Sequence, residues 1–185
     1  MALTESNMLP LGTPAPYFNL PDTVSGRMID LHAIQSEVAT VVMFLCNHCP
    51  YVIHVNPEIV RVVSDYSPKG VHFVGISSND VENYPDDSPE KMKITAAEAG
   101  YTFPYLYDET QEVAKAYDAA CTPDFFVFDG DMKLAYAGRL DGSRPKNDLP
   151  LTGADLRAAI DAILAGKPVP QPQIPSAGCN IKWKR

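Results

Sequence analysis

No stretch of this 185-residue chain approaches the ~18 consecutive apolar residues that would span a bilayer. The N-terminal thirty residues, interrupted by Pro10, Pro14, Pro16 and Pro21, lack the basic-then-apolar layout of a secretory leader, so the expected location is cytoplasmic. Positive charge is scarce: 15 Lys and Arg stand against 23 Asp and Glu, a formal net charge of −8. That balance argues against nucleic-acid or anionic-membrane partners, whose phosphates need clustered Lys and Arg. The one basic cluster, Lys182, Lys184 and Arg185, reads as a solvated tail end. Cysteine is sparse too, and four are too few to staple a miniprotein. In a reducing cytosol, cysteines held at close spacing more often serve redox or metal chemistry. With 45% hydrophobic and 21% charged residues, the chain suits one globular domain rather than a disordered segment or a repeat array. Proline is what it has in excess, 17 residues or about 9% against a usual ~5%.

Residues 1 to 37 are turn-rich, with room for two short hairpin strands around Ser25-Gly26. Val38 to Leu45 is an apolar, β-branched run of the kind found in strands buried on both faces of a parallel sheet. A helix is expected from Pro50, kinked at Pro57 or broken and restarted there with Asn56 as cap. Val71 to Ser77 is the next strand, completing a β-α-β unit with a right-handed crossover. Asp80, Glu82, Asp86 and Asp87 follow in a loop that lacks calcium-ligand spacing and reads as solvated. Ser88 caps a helix opened by Pro89 and running to Ala99. A strand at 103–107, a short helix at 109–117 and a hairpin of 124–128 with 133–139 come next. The final helix, 152–164, is expected to be capped by Thr152. Residues 167–185, with Pro168, Pro170, Pro172 and Pro175, read as an extended tail beyond a domain at 1–166.

Cys46-Asn47-His48-Cys49-Pro50 lies where the buried strand meets the helix. Two sulfurs three residues apart there can close a disulfide, and the free N–H groups of the helix start favour a thiolate. Cys46 is therefore the expected nucleophile and Cys49 the resolving thiol. His48 between them, when protonated, would stabilise the thiolate and make the disulfide more oxidising. A second element, Cys121-Thr122-Pro123-Asp124, opens the strand Phe125 to Phe128.

Strand, C-x-x-C-P, helix, strand and then Thr-Pro before a hairpin resemble the thioredoxin fold. The segment Gly12 to Asp22, the motif Cys46 to Val52, Asp141-Gly142-Ser143-Arg144-Pro145 and Gly178 to Lys184 extend the resemblance, essentially end to end, to the peroxiredoxin-like subgroup of redoxin proteins. The resemblance implies an α/β, thioredoxin-like fold, with a central mixed β-sheet flanked by helices, an N-terminal hairpin extension and an extended C-terminal tail. It implies a cis Pro123 facing the dithiol, with Thr122 and Pro50 beside the substrate. Cys121, near that proline, and Cys179, on the tail, become candidate relay thiols, or a buried small side chain and a packed tail residue. Arg139 and Arg144 are weak candidates for the arginine that steadies a peroxidatic thiolate, surface ion pairing being the alternative.

Departures matter. Peroxide-reducing members carry P-x-x-x-T-x-x-C; with the cysteine at Cys49, this chain has Val42 and Cys46 at the proline and threonine positions. The tryptophan and buried aspartate of ordinary thioredoxins are Leu45 and Thr40 here. The expectation is a thiol-disulfide oxidoreductase without cofactor, acting as monomer or homodimer on protein or small-molecule disulfides, with a thiol electron donor. The alternatives are a thiol peroxidase and a carrier of copper(I) or zinc on Cys46, Cys49 and Cys121 or His48.

Overall fold

The computed structural model describes residues 3–185. Strand β1 (Leu3–Glu5) precedes a hairpin of β2 (Asn19–Pro21) and β3 (Met28–Asp30), the one-turn helix α1 (Leu31–Ile34) and β4 (Ala39–Phe44). Helix α2 (Pro50–Tyr66), β5 (Val71–Ser77), α3 (Pro89–Ala99), β6 (Tyr105–Tyr107) and α4 (Glu112–Ala116) follow. Strands β7 (Cys121–Thr122), β8 (Asp124–Asp129) and β9 (Leu134–Gly138), helix α5 (Ala154–Leu164) and β10 (Ala177–Asn180) complete the order.

The apolar run becomes β4, the middle of a five-stranded sheet ordered β6-β5-β4-β8-β9. Its neighbour β5 runs parallel and β8 antiparallel. Side chains alternate across the pleat, so Val41 and Met43 pack with α2 and α5, whereas Val42 and Phe44 pack with Leu31, Ile34 and Tyr117 on the other face. Both faces are thus covered, which is why every residue of β4 is buried. This is the expected central mixed sheet flanked by helices.

Helix α2 runs unbroken through Pro57. The lost hydrogen bond and ring clash cost about 3 kcal/mol. Burial of Val52, Val55, Ile59, Val62 and Val63 on the sheet, at roughly 1.5–3 kcal/mol each, outweighs it. Helix α5 begins one residue later than the Thr152 cap implies: Gly153, at φ 69°, is the cap residue. The Asp141 carboxylate accepts from the N–H groups of Thr152 and Gly153 at 2.7 and 2.6 Å and does the work expected of Thr152.

The C-terminal segment departs furthest from the sequence reading. Residues 177–180 form β10, the centre of a second sheet ordered β1-β10-β7, in which Cys179 pairs with Leu3 on one side and Thr122 on the other. Ser6 N–H donates to Ser176 O at 2.8 Å and Ile181 N–H to Ala120 O at 3.0 Å, holding the strand at both ends. Ile181 is buried, whereas Trp183 is exposed. Gly178 lies so close to β7 that a Cβ there would overlap the Thr122 carbonyl.

We predict that Gly178→Ala forces β10 off β7 and lowers unfolding free energy by about 1–3 kcal/mol, the usual cost of overpacking. Chemical denaturation measures it, and an unchanged midpoint would contradict the close approach.

Candidate active site around Cys46

Strand β4 continues through Leu45, whose N–H reaches Ile76 O at 2.9 Å, and delivers Cys46 to the C-terminal edge of the sheet. Pro50 occupies the first position of α2, and Cys49, with extended φ and ψ of −70° and 123°, caps it. The intervening turn folds back so that the N–H groups of His48 and Cys49 point at Cys46 Sγ. Across from them lies Thr122, its Oγ1 3.4 Å from Cys46 Sγ. The Thr122–Pro123 peptide is cis.

The disulfide joins Cys49 to Cys179, with Cα atoms 6.3 Å apart, and Cys46 remains a free thiol. Register explains the pairing. Cys179 lies opposite Thr122, so both side chains emerge on the face of the small sheet that meets the start of α2. Cys121 lies opposite Asn180 and points the other way, towards the carbonyls of Pro123 and Ser176 at 3.8 and 3.9 Å. Burial, then Asp124, push its thiol well above the ordinary range. The structure thus brings Cys46, His48, Cys49, Thr122, Pro123 and Cys179 together and leaves Cys121 out.

Sequence reasoning missed Asp87. Its loop is not simply solvated: Asp87 is fully buried, and its Oδ1 accepts from the N–H of Asn47 at 2.8 Å and of His48 at 3.4 Å. Its Oδ2 accepts from Asn79 Nδ2 at 2.8 Å and lies 2.6 Å from His48 Nδ1, an ion contact not aligned as a hydrogen bond. Tyr105 hydroxyl donates to Asn47 Oδ1 at 2.9 Å, and Tyr84 stacks on the His48 ring at 6.1 Å. The available signal was topological. Loops leaving the carboxyl ends of adjacent parallel strands share one edge of the sheet, and the Ser88 cap fixes Asp87 there.

Burial dominates the electrostatics. Cys46, 1% exposed, is pushed up to about 12, first by desolvation and second by the Asp87 charge. The Thr122 hydroxyl and the two N–H groups pull it down by less. Asp124, next to Pro123, is wholly buried with Ser6 Oγ donating to it at 3.0 Å, and desolvation raises it to about 8.

The other candidates lie elsewhere or are otherwise engaged. Arg139 pairs with Asp155 at 2.6 Å. Arg144, with Arg139 and Pro123, borders a small cleft. The remaining histidines, which are not site candidates, make ordinary contacts: His54 meets Ser143 Oγ at 2.7 Å, His72 meets Ile34 O at 2.8 Å and His32 packs on Tyr17. Donor atoms of Cys46, His48 and Asp87 lie within 4.8 Å of one another and could hold a metal, but a four-coordinate zinc centre needs another ligand and Cys49 is committed to Cys179. Among the described residues, no helix is long and apolar enough to cross a membrane.

The family model described as AhpC/TSA matches residues 11–137. The crystal structure of an uncharacterized conserved protein from Geobacillus kaustophilus is 61% identical, with a TM-score of 0.98 over 100% of this chain and 97% of its own. The thioredoxin domain of a thiol-disulfide oxidoreductase from Bacteroides vulgatus, 17% identical, has a TM-score of 0.62 over 81% of this chain and 98% of its own, so the two share the thioredoxin fold. A Mycobacterium tuberculosis protein named a putative peroxiredoxin is 28% identical over 117 residues, 63% of this chain and 69% of its own length.

Two predictions follow from the buried carboxyls. Asp87→Asn keeps an acceptor for the N–H groups but removes the charge, so Cys46 should alkylate at a pH about one unit lower. Mass-resolved labelling against pH measures this, and an unshifted profile would dismiss Asp87 as the source. The folded chain holds a proton on Asp124 up to about pH 8, whereas the unfolded chain loses it near the ordinary 3.8. Stability should therefore fall as pH rises between those values and level off above them. Asp124→Asn should lack that component of the slope, as denaturation at the two ends of the window would reveal.

Proposed function

The chain belongs to the AhpC/TSA family, and on that premise we propose that it is a thiol-disulfide oxidoreductase working through Cys46, Cys49 and Cys179. The observation that carries this reading is the grouping of a free Cys46, at a helix start facing Thr122 and Pro123, with a Cys49–Cys179 disulfide. In the reduced protein, the Cys46 thiolate attacks a substrate disulfide, forming a mixed disulfide and expelling one substrate thiolate. Cys49 then attacks the Cys46 sulfur and expels the second. Cys179 next attacks the Cys49 sulfur, and Cys46 leaves as a thiolate that takes up a proton. The substrate gains two electrons and two protons, and two protein thiols become the disulfide. An external thiol donor reverses the oxidation.

The high Cys46 value fits the end of that sequence, because the returned sulfur is held as an unreactive thiol. With Cys46, Cys49 and Cys179 all at most 3% exposed, the oxidised centre is closed. His48 sits between Asp87 and Tyr84, where it positions the turn. Thr122 and the cis Pro123 form the wall against which a substrate disulfide would lie. We place this reaction in a reducing compartment such as the cytoplasm.

A second reading is peroxide reduction. In it, Cys49 is oxidised to a sulfenic acid and Cys179 displaces water to give the same disulfide. The Mycobacterium tuberculosis relative favours this reading, and the replaced P-x-x-x-T-x-x-C positions, Val42 and Cys46, weigh against it.

Cys46→Ser should cut disulfide reduction by at least about 100-fold, and Cys49→Ser should accumulate mixed disulfide on Cys46. Cys179→Ser should leave a Cys46–Cys49 disulfide in mass maps of the oxidised protein. Full activity in Cys46→Ser would sink the assignment. Stopped-flow oxidation by hydrogen peroxide faster than that of a free thiol would favour the peroxidase instead.

A further inference from the structure

Of the basic cluster, Lys184 and Arg185 are exposed, as a solvated tail end would be, whereas Lys182 is buried and the backbone of the segment is hydrogen-bonded into the fold. The Lys182 carbonyl accepts from Asp80 N–H at 2.8 Å and from Gln111 Nε2 at 2.8 Å, and Lys184 N–H donates to Gln111 Oε1 at 2.9 Å. Lys182 N–H donates to Asn79 Oδ1 at 2.8 Å, and the same Asn79 donates to Asp87. A chain of hydrogen bonds thus runs from the basic segment to the carboxylate beside Cys46.

That segment walls a cleft of about 490 Å³ shared with Asp80, Tyr84 and Asn180. Tyr84 connects the cleft to His48 by ring stacking. Lys182 Nζ donates to Asn180 O and Oδ1 at 3.1 and 2.8 Å and lies 5.6 Å above the Tyr84 ring. Among the described residues, no carboxylate lies within ion-pair distance of Lys182, Lys184 or Arg185. The one acidic side chain lining the cleft, Asp80, already accepts from Glu82 N–H at 3.1 Å and Asn83 Nδ2 at 2.6 Å. Lys184 and Arg185 are exposed at this cleft and Lys182 lies buried against it, so three cations outnumber the one carboxylate there, Asp80, on which Lys184 acts electrostatically, in a chain of net charge −8.

The geometry points to this cleft as the binding site of a small, carboxylate-bearing disulfide, the substrate that the Cys46 centre reduces. The inference rests on the oxidoreductase reading for its chemistry, which is the two-electron exchange already described. The cleft volume falls in the range of small-ligand sites, about 300–1,000 Å³, rather than that of a flat protein-docking face. The carboxylates meet Lys184 and Arg185, and the Tyr84 ring sets the reach towards His48.

The test uses the full chain with a thiol donor and three probes: glutathione disulfide, which is net anionic, bis(2-hydroxyethyl) disulfide, which is neutral, and cystamine, which is cationic. The expected result is a kcat/KM highest for glutathione disulfide and falling with added salt. Charge reversal in the double variant Lys184→Glu, Arg185→Glu should lower that value about tenfold and leave the neutral probe unchanged. Equal turnover of the anionic and neutral probes, or a double variant that alters both alike, overturns the proposal. If no probe is turned over, the oxidoreductase reading fails, and calorimetry with reduced glutathione judges the cleft separately. Binding lost in the double variant upholds the site, and no binding by the unaltered protein overturns it.

Discussion

The antiparallel pairing of Cys179 with Thr122 is the contact on which the site depends. It places Cys179 beside Cys49, holds Thr122 against Cys46 and sets the direction in which residues 180–184 leave towards Asn79 and Gln111. The pairing needs a residue without a side chain at 178, because β10 passes so close to the Thr122 carbonyl. Leu3 to Glu5 cover the other edge of β10, so the strand presents no open row of donors and acceptors. A short strand with few apolar side chains is thereby fixed by hydrogen bonds on both sides.

Around Cys46 two opposing effects meet, and their sizes decide the resting state. The N–H groups at the start of α2 and the Thr122 hydroxyl favour a thiolate. Burial and the Asp87 carboxylate favour the thiol and prevail, moving the group from an ordinary 9.0 to about 12. Asp87 also contributes order: it satisfies the N–H groups of Asn47 and His48 in the turn that follows Cys46. The same carboxylate therefore shapes the turn and restrains the nucleophile it carries.

Local chemistry made much of this legible. The burial of Val41 to Phe44 on both faces of the sheet, the span of β5, the Ser88 cap with Pro89 and the position of Cys46 and Cys49 at a strand-to-helix junction all follow from short stretches of sequence. Long-range closure did not show itself in the same way. Asp87 looks like any loop acid until β5 places its loop beside that of β4, and Cys179 looks like a tail residue until its strand is paired. The break and restart allowed for at Pro57 does not occur, for a related reason, since the packing of α2 outweighs a local penalty. Thr152 yields to Asp141 because the fold brings a carboxylate to the start of α5 from eleven residues away.

The sequence separation of 130 between Cys49 and Cys179 turns their bond into a record of folding. In an unfolded chain the entropy of loop closure favours partners close in sequence. Scaling as (3/2)RT ln n, the loop to Cys179 is disfavoured by roughly 3 kcal/mol relative to the short loop between Cys46 and Cys49. Random oxidation thus selects the neighbouring pair, and the native architecture selects the distant one. Away from turnover, which sulfur Cys49 holds therefore reports whether the polypeptide around it has reached its tertiary structure.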